Sequence, residues 1–141
     1  MVHYTALVFD VADIKRKDII FKAVNYMKQH LAAKLTLENT AQHVGFSTTY
    51  FSRVFKEEMG ITFNAYLIRL RMERSKAMLL SGNLPVGEVS AAVGYEDQSY
   101  FTKVFREYTG VTPGHFRKKQ GHLDNAKERT SNKKAHNKNK R

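Results

Sequence analysis

Apolar residues recur along this chain at intervals of three and four, and the runs are punctuated by glycine. In Asp18 to Leu31 (DIIFKAVNYMKQHL), Ile20, Ala23, Val24, Met27 and Leu31 share one stripe, which predicts an amphipathic helix. Thr36 then has the chemistry of an N-cap for a short helix carrying Leu37, Ala41 and Val44. Gly45 stops that helix, Ser47 caps another running toward Met59, and Gly60 ends it. Asn64 to Leu80 contains neither Gly nor Pro and is rich in strong helix formers, with Tyr66, Leu67, Leu70, Ala77 and Leu80 on a broad stripe. It predicts a linker helix of about 16 residues, roughly 24 Å long. Asn83 to Pro85 precede a short helix with Val86, Val89 and Val93 that Gly94 closes. A further helix runs from about Asp97 to Thr109 with Gly110 after it, and Thr112-Pro113 opens a last one through Phe116.

The punctuation repeats because the sequence does. VGFSTTYFSRVFKEEMGIT (Val44 to Thr62) recurs as VGYEDQSYFTKVFREYTGVT (Val93 to Thr112), with one extra residue before the Tyr-Phe pair. Two copies are too few for a solenoid, so the chain carries a tandem pair of small modules. Each is two short helices joined by a Gly-containing turn of about three residues, the composition of a helix-turn-helix. The first module spans about 36–60, the linker helix about 64–80 and the second module about 84–110.

At about 100° per residue, Tyr50, Phe51, Val54 and Phe55 fall on one side of their helix, predicting a core face, and Thr49, Ser52, Arg53 and Lys56 point away. In the second copy the wheel buries Tyr100, Phe101, Val104 and Phe105 and exposes Ser99, Thr102, Lys103 and Arg106. Both outward sets hold hydroxyls and cations and no acid, although Glu57, Glu58 and Glu107 are close in sequence. Such a face suits a DNA major groove. Arg or Lys can donate to guanine O6 and N7, Ser or Thr can bond base edges or phosphate, and a Thr methyl can meet a thymine methyl. One such helix is as readily a solvated face; the duplication favours the binding reading.

Charge sharpens this. The 141 residues carry 24 Lys+Arg against 13 Asp+Glu, a net charge of +11, which favours a polyanionic partner: DNA, RNA or an acidic membrane surface. Gly121 to Arg141 hold seven basic and two acidic residues, a net of +5, which leaves +6 to the body. That tail lacks the apolar residues needed to offset ordering entropy and is expected to be disordered, either a solubilising extension or a non-specific electrostatic arm. The absence of cysteine excludes a disulfide scaffold, a thiolate zinc site and a cysteine nucleophile. No apolar run reaches membrane-spanning length and Met1 to Asp10 lacks a signal-peptide pattern, so a cytoplasmic protein with no membrane partner is expected.

From Leu35 to Lys119 the chain closely resembles the DNA-binding domain of the AraC/XylS family of bacterial transcription regulators. The resemblance rests on the stretches LTLENTAQHVGFSTTYFSRVFKEEMGITFNAYLIRLRMERSKAMLL and VGYEDQSYFTKVFREYTGVTPGHFRK, where the joint spacing of Gly94, Tyr95, Phe101, Phe105, Gly110, Pro113 and Phe116 is demanding. It implies an all-α fold of about seven helices, with two homeodomain-like helix-turn-helix subdomains joined by a rigid linker helix. The recognition helices, 48–59 and 97–109, would enter adjacent major-groove segments of double-stranded DNA. The implied base readers are Thr48, Thr49, Ser52 and Arg53 in the first module and Gln98, Ser99, Thr102 and Lys103 in the second. Lys56, Arg106 and helix N-termini would hold the backbone. Thr40, where the family usually has an aliphatic residue, and Gly87, where Ser or Ala is common, depart from the pattern, and each is expected to loosen the first helix of its module.

The resemblance also implies an output domain, residues 15–120, working with a sensor of effector or phosphorylation that these residues do not include, and with RNA polymerase as a further partner. The apolar stretch Tyr4 to Val11 makes residues 1–14 the remnant of an upstream domain or linker; a short stand-alone regulator is the second reading. Six histidines show no metal-ligand spacing, and there is no Gly-rich phosphate loop or Ser, His and acid cluster, so neither an enzyme nor a cofactor is expected. His43 is expected to be a surface or cap group. The competing readings are a non-specific nucleic-acid binder relying on the tail and an RNA-polymerase-interaction module.

Overall fold

A computed structural model describes residues 2–121, with side chains from residue 11 onward. Among the described residues the secondary structure is entirely helical: α1 (Val2–Gln29), α2 (Leu37–Val44), α3 (Thr48–Met59), α4 (Phe63–Ser81), α5 (Val86–Ala92), α6 (Gln98–Thr109), and α7 over residues 113–121. The fold is the expected all-α arrangement of seven helices. The basic tail from residue 122 lies outside the described residues.

Local chemistry sets most of these ends. Thr36 and Asn39 form a reciprocal capping box at the start of α2, each side chain accepting from the other's backbone N–H at 3.0 Å. Ser47 caps α3 through Tyr50 N–H, and Asp97 caps α6 through Ser99 N–H at 2.9 Å. The turns that lead into α3 and α6 pass through Gly45 (φ 84°) and Gly94 (φ 99°), a left-handed backbone that an L side chain would strain. α5 starts after Pro85 with no side-chain cap.

The chain divides into two compact units, one ending at Arg71 and the other starting at Met72, so α4 serves both. In the first, Ile20, Ala23 and Met27 of α1 and Leu31 just after it pack with Ala41 of α2, Phe51, Val54 and Phe55 of α3, and Phe63 and Leu67 of α4. In the second, Met72 and Leu79 of α4 pack with Val89, Val93, Tyr95, Phe101, Val104 and Phe105. The repeat survives in the ring geometry: Phe55 meets Tyr66 edge-on at 5.7 Å, and Phe105 meets Phe116 edge-on at 5.6 Å. Arginines close each unit in a similar way. Arg71 donates to the carbonyl of Ala33 at 3.3 Å after α1, and Arg117 donates to those of Leu79 and Leu84 around the end of α4.

Three expectations change. α1 is continuous from Val2, with no break near residue 14, where the apolar periodicity gives out at Asp13, Lys15, Arg16 and Lys17. A solvent-facing helix needs no apolar stripe, and the pairs Asp13–Lys17 and Asp18–Lys22, both at 3.0 Å, support its surface. Tyr100 is not a core residue: it is 56% exposed, and its ring lies 6.0 Å from Tyr95. The buried arc is centred on Phe101, Val104 and Phe105, and one residue's rotation of about 100° puts Tyr100 on its flank. Tyr50, its counterpart, is half-buried. Thr40 does not loosen α2; it is fully buried, and its hydroxyl donates to Thr36 C=O at 2.8 Å, which satisfies the polar group inside the core.

Candidate nucleic-acid interface

Because Phe51, Val54 and Phe55 anchor α3, the residues half a turn away are held outward. Thr48, Thr49, Ser52, Arg53 and Lys56, together with Leu37 from α2 and Glu57, line an open groove of about 730 Å³ on the first unit. The second unit repeats this. Ser99, Thr102, Lys103 and Arg106, with Glu107, Gly110 and Thr112, line an open groove of about 540 Å³. Nine of the ten residues singled out from the sequence thus gather on two grooves, each organised by one helix. Gln98, the tenth, is exposed at the first residue of α6, but its amide lies against Gly87 of α5.

The two faces are not free of acid. Glu57 lines the first groove and Glu107 the second, because the helical path carries position 57 or 107 back toward the edge of the outward arc. In the first unit the acid is answered by a residue that periodicity did not mark. Arg16 of α1 donates to the Glu57 carboxylate, and its Nε lies 3.1 Å from Glu58 Oε1. The hydrogen bond to Glu57 raises the Arg16 pKa further, with the charges of Glu57 and Glu58 adding to it, so the guanidinium stays charged. The contact spans 41 positions, and no local sequence signal predicts it. On the same helix as Glu57, the Arg53 guanidinium lies 5.5 Å from the centroid of the Tyr50 ring, within cation–π range, which restrains a long side chain at the groove. His43 is a surface group, stacked on Tyr26 at 4.0 Å.

Chemically, each groove offers several hydroxyls, two cations and a helix start where the first N–H groups are unpaired by the helix itself. Among the described residues, no group of three or more His, Asp or Glu could hold a metal ion, and no helix is long and apolar enough to cross a membrane.

A family model described as a helix-turn-helix domain matches residues 40–119, more than half of the chain. The chain belongs to the AraC/XylS-type helix-turn-helix family. The regulatory protein PocR of Salmonella typhimurium is 40% identical over 96 residues, which is 68% of this chain and 32% of that protein. The arabinose operon regulatory protein of Escherichia coli is 33% identical over 97 residues, 68% of this chain and 33% of its own length. The chain therefore spans about a third of the length of the curated relatives it matches. Among solved structures, the C-terminal domain of AraT, a response regulator from Geobacillus stearothermophilus, superposes with a TM-score of 0.70 at 38% identity, covering 72% of this chain and 84% of that one. AraC/XylS-type membership accounts for the paired modules, and the departures at Thr40 and Gly87 fall on the first helix of each, Gly87 lying against Gln98 at the start of α6.

Proposed function

We propose that this chain binds double-stranded DNA sequence-specifically as the output domain of a bacterial transcription regulator, with α3 and α6 entering successive major-groove segments. The observation that carries the reading is the duplication of one surface: two helices, each fixed by a Phe-Val-Phe core face, each turning hydroxyls and two cations into an open groove. A solvated face does not need to be built twice at matching positions. An α-helix fits the major groove, and Arg, Lys, Ser and Thr are the side chains that bond its base edges and the flanking phosphates. In this reading Thr48, Thr49, Ser52, Arg53, Gln98, Ser99, Thr102 and Lys103 read bases, while Lys56 and Arg106 hold the backbone. The domain binds and does not catalyse. RNA polymerase is the further partner we assign, and an effector or phosphorylation signal would be received outside these residues, reaching the domain through residues 1–14. The greater length of the curated relatives supports that division.

Selection from a random-sequence DNA library followed by footprinting tests the reading. A single copy should select an asymmetric site of two unlike half-sites about 10 bp apart. Retention of DNA with no consensus would favour the non-specific binder. A palindrome that needs two copies for any binding would remove the assignment of both helices of one chain to one site.

A further inference from the structure

Gly87 is the second residue of α5 and Gln98 the first of α6. A Cβ at position 87 would stand 2.8 Å from Gln98 Oε1 and 3.7 Å from its Cδ, the first of these closer than real Cβ atoms approach another heavy atom. At Gly45, Gly60 and Gly110, by contrast, a Cβ would meet nothing within 4 Å, and those glycines are explained by their positive φ. Gly87 has no such backbone requirement and sits inside a helix, where glycine is unfavourable. Gly114, the second residue of α7, likewise has no positive φ but faces open space, so what distinguishes Gly87 is the close approach of Gln98. The repeat supplies a comparison, because the aligned positions of the first module reverse the sizes. Glu38, the second residue of α2, stands where Gly87 does, and Thr48, the first of α3, stands where Gln98 does. A long side chain on the first helix goes with a short one on the second, and the reverse.

We infer that Gly87 is a specificity-positioning residue. The space left by its missing side chain seats the Gln98 amide, and so sets which hydrogen-bonding groups the start of α6 presents to a base pair. The inference rests on the DNA-reading assignment above and extends it to a residue outside the groove. An unseated Gln98 would sample several rotamers in solvent, and each hydrogen bond to a base would first have to order it. A methyl group at position 87 displaces the far end of a flexible side chain and leaves the backbone alone. Gly87→Ala therefore separates the seat from the fold.

The experiment compares the full chain with G87A, Q98A and the double variant, by thermal melting and by binding at fixed salt to single-base substitutions of the selected site. G87A should melt at or above wild type and keep its preferences in the half-site read by α3. It should change discrimination about five- to tenfold at the base pair read by Gln98. In the Q98A background the same Gly87→Ala change should alter no preference. If Q98A shifts base preference and G87A does not, the seat has no role and the inference fails while DNA reading stands. If Q98A changes no preference, Gln98 is not a reader and the inference falls with that assignment. If wild type itself shows no preference at any position, the DNA-reading proposal is what fails. Should G87A not fold, the wild-type protein decides by NMR: contacts between the Gln98 side-chain amide protons and the Gly87 α protons are expected, and their absence overturns the seat.

Discussion

Arg53 and Lys103 hold corresponding places on α3 and α6, and the difference between their side chains is the difference between two kinds of contact. Arg offers a planar fork that can bond guanine O6 and N7 together, and the neighbouring Tyr50 ring at 5.5 Å limits where that fork can swing. Lys is a compact charge on a flexible stem and discriminates less. Arg53→Ala should cost about 1 to 3 kcal/mol on the preferred site and relax discrimination at one base pair, with the fold unchanged. Lys56→Ala should weaken all sequences alike, as loss of a phosphate contact does. Lys103→Ala should fall between them. The measurement is the affinity of each variant for a panel of single-base-substituted sites at one salt concentration. A uniform loss for Arg53→Ala would make Arg53 a phosphate clamp and end its assignment as a base reader.

The helices themselves depend on which of their neighbouring aromatic residues are inside. Phe101 is fully buried between Tyr95 and Phe105, with ring centroids at 5.5 and 5.8 Å, whereas the adjacent Tyr100 is mostly exposed. Phe101→Ala should therefore cost about 3 to 5 kcal/mol of stability, by lost burial and the cavity left behind. Tyr100→Ala should cost far less, and thermal or denaturant melting of the pair distinguishes them. Equal losses would return Tyr100 to the core. That error in the wheel shows where sequence reasoning stopped. Features fixed within a few residues were legible: the caps at Thr36 and Ser47, the glycine stops, and the core trio on each of α3 and α6, although Asp97, expected inside α6, is its cap. The grooves were nearly legible too, because outward direction follows from the same trio. Contacts between helices were not. The Arg16 pairing with Glu57 and Glu58, and the approach of Gln98 to Gly87, depend on how helices cross, and no local period encodes that. The continuity of α1 through residues 13–17 was missed for a different reason, since the charged pairs Asp13–Lys17 and Asp18–Lys22 can sustain an exposed stretch that has no apolar stripe.

Across the whole molecule, charge and recognition are distributed differently. The outward hydroxyls and cations of α3 and α6 lie within the body, yet nearly half of the net charge of +11 belongs to residues 121–141. Counterion release does not depend on base sequence, so cations in the tail can add affinity and on-rate without adding discrimination. The intact chain should lose affinity as salt rises, with log K falling against log salt by about 0.9 per phosphate neutralised. Removing residues 122–141 takes away seven basic and two acidic groups and should flatten that slope, lowering affinity most at low salt. The ranking of base substitutions within the site should be unchanged, because the side chains that rank them stay on their helices. Salt titrations of both chains on the selected site and on an unrelated duplex measure slope and ranking together. A tail deletion that kept the slope but erased the ranking would transfer readout from α3 and α6 to the tail. The grooves built on the Phe-Val-Phe faces would then be carrying charge alone.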